Sequence, residues 1–150
     1  MDGARQHGFT LIELMVVLVI VGIASAAISL SIKPDPLHLL RKDAERVAQL
    51  LQLAKAEAQA DGRSIRWQAD AKGFRFSRDS ADGAAPDYFK ADPQLRPRTW
   101  QSTPMEVRVE PRQPVILDAE WIGQPLQVVL SDGQHSISVQ RSAAGQVRVQ

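Results

Sequence analysis

The sequence predicts an α+β chain: a long N-terminal helix, half membrane-spanning and half amphipathic, packed on a mostly antiparallel β-sheet domain. Three observations carry this. Residues 14–32, LMVVLVIVGIASAAISLSI, hold nineteen positions without a charge. Leu40, Ala44, Val47, Leu51, Ala54 and Ala58 recur at steps of four and three, the spacing of an apolar helical stripe. From Ser64 onward apolar residues alternate with polar ones, as in strands with one buried face.

Counted from Phe9, the first segment has twenty-four residues to Ile32, and Glu13 is its only charge. As a helix it spans roughly 36 Å at ~1.5 Å per residue, enough for a hydrocarbon core of about 30 Å. A cleaved secretory signal is the competing reading. Arg5 and the amino terminus would form its basic region, Leu14 to Ile23 its apolar core, and Ala24-Ser25-Ala26 its cleavage site. That reading leaves Glu13 unexplained, because a charge at the head of the apolar core only weakens insertion. Gly22 and Ala26 lie four apart, as do Ser25 and Ser29; small residues at that spacing share a face and let helices approach closely in lipid.

Lys33-Pro34-Asp35-Pro36 interrupts the helical pattern, since each proline removes a donor and disfavours helix before it. Asp35 is placed to cap a second helix with Pro36 at its first position, and Gly62 to end it. Its other face carries Arg41, Lys42, Glu45, Arg46, Lys55 and Glu57, a solvated surface. Next, Ser64 to Gln68 and Phe74 to Ser77 read as a hairpin around Asp70-Ala71-Lys72-Gly73. Ile65, Trp67, Phe74 and Phe76 would share the face buried against the helix. Asp79 to Pro104, with four prolines and few apolar residues, reads as a long surface connection. Five strands are expected after it: Met105 to Val109, Val115 to Leu117, Leu126 to Leu130, Ser136 to Gln140 and Gln146 to Val149. Asp132-Gly133 marks a hairpin turn.

A chain of 150 residues, 44% of them apolar, allows one ordinary domain beside the N-terminal segment. Eighteen Lys and Arg against seventeen Asp and Glu leave a balance of +1, which gives no general attraction for nucleic acid or acidic partners. Cysteine is absent, excluding disulfides, thiolate metal sites and a Cys nucleophile without fixing the compartment. His7, His38 and His135 lack neighbours at metal spacing, and no serine lies in a Gly-x-Ser-x-Gly elbow. Asp79-Ser80-Ala81-Asp82-Gly83 lacks the alternating oxygen ligands of a calcium loop. No catalytic residue, metal or cofactor is therefore expected. Arg96, Arg98, Arg108 and Arg112 surround Trp100 in sequence, with Arg141 and Arg148 farther on, a pattern compatible with a basic, aromatic nucleic-acid surface. Glu106 and Glu110 interrupt it, so scattered surface arginines are the expectation. Trp100 and Trp121 are either partner contacts or core residues.

GFTLIELMVVLVIVGI, from Gly8, resembles the processing site of type IV pilins and of the pseudopilins of type II secretion. The resemblance implies that a prepilin peptidase cuts between Gly8 and Phe9 and that Phe9 becomes N-methylated. Residues 1–8 are then a leader, 9–33 a retained transmembrane and filament-core helix, and 34–150 a periplasmic domain with a helix over about 36–61 and β structure over 64–150. The leader departs from the family pattern: His7 stands where a basic residue is usual, and Asp2 offsets Arg5. Glu13 is fifth in the mature chain, where the family carries a glutamate. A carboxylate in apolar surroundings costs at least about 2.5 kcal/mol unless it finds a partner, and the resemblance implies that the partner is the freed amine of Phe9 on a neighbouring subunit. The alternative is an unpaired Glu13 reaching the headgroups.

LLRKDAERVAQLLQLAKAEAQADGRSIRW, followed by GFRF, is similar to the H-type minor pseudopilins, so the likeness runs from Gly8 to about Phe76. It implies a structural, non-enzymatic subunit of the pseudopilus, which drives folded proteins through an outer-membrane channel. Implied partners are the prepilin peptidase, the major and other minor pseudopilins, the inner-membrane assembly platform and the lipid bilayer; nucleic acid is not expected. The location implied is the bacterial inner membrane, single-pass, with the C-terminal domain in the periplasm. FimT- and FimU-like minor pilins of type IV pili share this domain type and form the alternative, with DNA binding as its attendant activity. A secreted enzyme with a cleaved signal is the third reading.

Overall fold

A computed structural model describes residues 8–31, 34–120 and 124–150. The chain divides into two compact units, Met1–Pro34 and Asp35–Gln150.

The first unit is helix α1 (Leu11–Ser31). Thr10 caps it: its hydroxyl accepts from the Glu13 N–H at 3.3 Å and its carbonyl from the Leu14 N–H at 3.2 Å. Its described large apolar side chains are exposed all round, and the least exposed of these, Val17, still shows 48% of its surface. The window Leu11–Ile28 has a mean hydropathy of 2.7. Leaving this much apolar area in water costs roughly 25 cal/mol per Å², so the helix requires an apolar environment or other helices around it.

The second unit opens with helix α2 (Pro36–Asp61). Asp35 Oδ1 accepts from the Leu37 N–H at 3.1 Å, Pro36 occupies the first turn, and Gly62 ends the helix at φ 65°, where a side chain would be strained. Every residue of the expected stripe is buried, together with Ala48, Leu50 and Asp43. The strands follow as β1 (Ile65–Ala69), β2 (Gly73–Ser77), β3 (Arg98–Thr99), β4 (Glu106–Glu110), β5 (Val115–Leu117), β6 (Leu126–Ser131), β7 (Ser136–Arg141) and β8 (Val147–Val149). They form two four-stranded antiparallel sheets, ordered β3-β2-β1-β5 and β4-β6-β7-β8. α2 packs against β1 and β5 of the first and against β6, β7 and β8 of the second. One helix thus covers two sheets, which the sequence pattern alone does not divide.

The first hairpin forms as expected, with Trp67 opposite Phe76 and Ala69 opposite Phe74. Ile65, Trp67, Phe74 and Phe76 are all buried. The Phe74 ring lies 6.3 Å from both Trp67 and Phe76, and 4.9 Å from Trp100, the range of favourable aromatic pairs. The turn is closed by Asp70, whose Oδ1 accepts from the Lys72 and Gly73 N–H groups at 2.7 and 3.0 Å.

The segment Asp79 to Pro104 corrects the sequence reading. It is not only a surface connection, since it contains β3 and buries Phe89, Leu95, Trp100 and Ser102. Those apolar residues stand singly among prolines, so no period reveals them, and β3 pairs over only two positions. At that pairing a Cβ built on Gly73 would lie 2.1 Å from the Arg98 carbonyl oxygen and 3.1 Å from Thr99 Cα. Backbone on both sides cannot yield cheaply. Gly73→Ala is therefore expected to push β3 from β2 and cost about 1–3 kcal/mol, measurable as a lower melting temperature of the full chain in detergent.

Candidate functional site

Gly8, Phe9 and Glu13 stand at the N-terminal end of α1. A Cβ on Gly8 would meet nothing within 4 Å, and its φ lies outside the left-handed region, so the fold itself does not demand glycine there. Phe9 is 85% exposed. Glu13 sits in the first turn of α1, where the helix dipole favours a negative charge. Thr10 and Glu13 have the spacing of a capping box. The carboxylate has no ion-pair partner among the described residues. Phe9 precedes the Thr10 cap, four residues before Glu13 in the chain. Farther along, a Cβ on Gly22 would also meet nothing within 4 Å, and Ala26 is exposed, so the small residues leave one face open to a neighbouring helix.

Asp43 is a residue the sequence reading overlooked. It is fully buried in α2, and its Oδ2 accepts from the N–H groups of Gln101 and Ser102, both at 2.9 Å. Burial pushes its pKa up, while those two bonds and the nearby Arg46 pull it down. With the Gln101 amide oxygen turned toward Arg46, both terminal guanidinium nitrogens donate to it, at 2.7 and 3.0 Å. The signal was available: Asp43 lies three residues after Leu40 and four before Val47, on the apolar stripe.

The candidate nucleic-acid surface does not assemble. Trp100 is a core residue whose indole N–H donates to the Asp70 carbonyl at 2.7 Å. Arg141 is buried too, and its guanidinium donates to the Gln124 carbonyl. Arg98 donates to the Pro93 and Gln94 carbonyls, and Arg108 lies 3.3 Å from Glu106 on the other sheet. Arg96, Arg112 and Arg148 are exposed. Trp121 and His7 lie outside the described residues. His38 is exposed. His135 does have a carboxylate beside it, contrary to the sequence reading, with Nδ1 3.2 Å from Asp132 Oδ2. Asp132 accepts from the backbone N–H groups of His135 and Gln134, which with the imidazole hold its pKa down at about 2. This pair therefore closes the β6–β7 turn. Among the described residues, no group of three or more His, Cys, Asp or Glu is placed to hold a metal ion.

Residues 3–29 match a prokaryotic N-terminal methylation motif, and residues 43–145 match the family of type II transport protein GspH. The chain belongs to the GspH family. It is a minor pseudopilin of type II secretion, a structural subunit that assembles with other pseudopilins into a filament. Among solved structures, the chain shares its fold with the minor pseudopilin EpsH of the Vibrio cholerae type 2 secretion system. The two are 16% identical, with a TM-score of 0.60 over 74% of this chain and 95% of that one. The type IV minor pilin FimU of Pseudomonas aeruginosa, in two crystal forms, is 18% identical. Its TM-scores are 0.55 and 0.53, over 74% of this chain and 87% or 92% of the pilin. No curated protein matches the chain. The GspH match covers strands in which the sequence likeness was only general, and the methylation motif spans the segment carrying Gly8, Phe9 and Glu13.

Proposed function

We propose that this GspH-family chain enters the bacterial inner membrane through residues 9–33, with residues 34–150 in the periplasm, and is processed between Gly8 and Phe9 by the prepilin peptidase. The observation that carries this is Gly8 itself, a glycine that the fold does not need, placed next to an apolar helix within a methylation motif. Cleavage there keeps the helix and creates an amine at Phe9. Glu13, four residues on, then has a cation to meet at similar membrane depth on a neighbouring subunit. Gly22 and Ala26 bring the helices close enough to bundle. The inner-membrane assembly platform transfers the subunit into the pseudopilus with the major and other minor pseudopilins, whose extension moves folded proteins across the outer membrane. Its contribution is positional: no bond is made or broken by its side chains.

Mass spectrometry of the mature chain tests the processing step. The expected product begins at N-methylated Phe9; a chain beginning at Ala27 would mean that the segment is a cleaved signal and that no filament helix remains. The likeness to FimU supports a second reading, a type IV pilus minor pilin. Deleting the gene separates the two, because loss of protein secretion with intact pili supports the first and the reverse supports the second.

A further inference from the structure

α2 packs on the inner face of the second sheet, where Leu126, Val128, Leu130, Ile137 and Val139 are buried. Alternation turns the residues between them to the outer face. These are Gln127, Val129 and Ser131 of β6, half-buried, and Ser136, Ser138 and Gln140 of β7, exposed or half-buried. None is charged, in a chain with 23% charged residues, and depletion of charge marks the centre of a protein interface. The first sheet differs: its outward Arg66 lies 3.7 Å from Asp79, and its outward Arg75 lies 5.0 Å from the Tyr88 ring centre, both in the chain's own 79–88 segment. On the second sheet charge stands at the edges. One row of the register runs Glu110, Gln127, Gln140, Arg148 across β4, β6, β7 and β8, a carboxylate at one edge, two amides, and a guanidinium at the other. At ~4.8 Å per strand the two ends lie about 14 Å apart, too far to pair within one chain. The exposed Glu110 carboxylate has no hydrogen-bond or ion-pair partner among the described residues, and Arg148 donates to the neutral Gln146 Oε1 at 3.2 Å.

A two-fold axis parallel to the strands reverses such a row end for end, so that each guanidinium faces a carboxylate and amide meets amide. We propose that two copies of this chain, before assembly, pack the outer faces of their second sheets together about that axis, with Glu110 of each copy against Arg148 of the other. The neighbouring rows agree. Val129 then lies over Ser138 and Ser131 over Ser136, small side chains that let two sheets approach to about 10 Å. Arg108, already 3.3 Å from Glu106 on its own strand, faces Gln150, which is bonded to Ser138 across β7. No like charges come directly opposite. Four strands at ~4.8 Å and about five residues at ~3.4 Å give a face of roughly 330 Å², whereas a standard stable interface takes about 800 Å² per partner. The contact is therefore weak alone and depends on two chains confined to one membrane by α1, so the inference rests on the membrane reading of residues 9–33.

Cysteine crosslinking of the full chain tests it, in vesicles of phosphatidylethanolamine and phosphatidylglycerol with no other pseudopilin present. The chain has no native cysteine, so Ser138→Cys, close to the axis, reports alone, and Gln68→Cys on the outer face of the first sheet is the control. A short bismaleimide is expected to join Ser138→Cys chains into dimers and to leave Gln68→Cys chains monomeric. Glu110→Arg and Arg148→Glu, each added singly, should lower the dimer yield about tenfold, because like charges then stand opposite at both ends of the row. The double variant restores opposite charges in exchanged places and should recover most of the yield, which a merely structural defect would not do. The proposal is overturned if Ser138→Cys chains that resist alkaline carbonate extraction stay monomeric, crosslink no better than Gln68→Cys chains, form dimers indifferent to the single charge changes, or are not recovered by the double variant. Extraction of the chain by carbonate overturns the membrane reading and this inference together.

Discussion

Glu13→Gln is expected to give a chain that is cleaved after Gly8 and inserted in the membrane, yet at least about tenfold depleted from the pseudopilus. Removing the charge lowers the cost of placing this residue in the bilayer, which is about 2.5–3.5 kcal/mol for a centrally placed carboxylate, so failed insertion cannot explain the loss. Helix capping survives as well. Thr10 Oγ1 accepts from the backbone N–H of residue 13, 3.3 Å away, and glutamine is as acceptable as glutamate in a capping box. What disappears is the attraction to the amine of Phe9 on a neighbour. Breaking a desolvated ion pair by removing one partner typically costs 3–5 kcal/mol, well above the 1.4 kcal/mol that a tenfold change requires. Glu13→Asp keeps the charge with a shorter reach and should restore part of the incorporation. Quantifying the variant in sheared pseudopilus fractions against total membrane protein provides the check; incorporation of Glu13→Gln at the wild-type level would sink the pairing idea.

Features written in local sequence were the ones legible beforehand. The cap at Asp35, the proline behind it and the stop at Gly62 each act through one or two neighbouring backbone groups, so they need no tertiary knowledge. The alternation of Ile65, Trp67, Phe74 and Phe76 declared both the hairpin and its buried face. Legibility ended where a partner comes from far along the chain. β3 lies between prolines and pairs over only two residues, leaving no period to detect. Trp100 read equally as a partner contact or a core residue; its indole reaches Asp70, thirty residues earlier, and it belongs to the core. The division into two sheets is similarly hidden, because β4 and β5 are neighbours in sequence and members of different sheets. At the N-terminus the limits reverse. Gly8, Phe9 and Glu13 are conspicuous in the sequence, yet among the described residues Gly8 has open space around it, Phe9 is exposed and Glu13 has no ion-pair partner. Under the proposed function their partners are other molecules.

Asp43→Ala should lower the stability of the second unit by about 2–4 kcal/mol, since it strands the Gln101 and Ser102 N–H groups, each a loss of roughly 1–3 kcal/mol when buried. For a domain of this size that is a drop of about 10 °C in melting temperature, readable by circular dichroism on the full chain in detergent. Asp43→Asn keeps one acceptor oxygen and should lose less. The pH dependence identifies the carboxylate directly. Its folded-state pKa is raised above 3.8, so the folded chain holds this proton at pH values where the unfolded chain has released it. Its contribution is therefore most favourable below 3.8 and declines as pH rises through the folded value. On acidification from neutral pH toward 4, wild type should gain stability relative to Asp43→Asn. Asp132 acts in the opposite sense and in another window: with a folded pKa of about 2 against 3.8, its stabilisation is complete above 3.8 and is lost only as pH falls toward 2. Because the two windows meet at 3.8 without overlapping, a wild-type advantage that widens between pH 7 and 4 belongs to Asp43. A constant difference over that range would show that the 101–102 segment is held by packing and that the carboxylate contributes little.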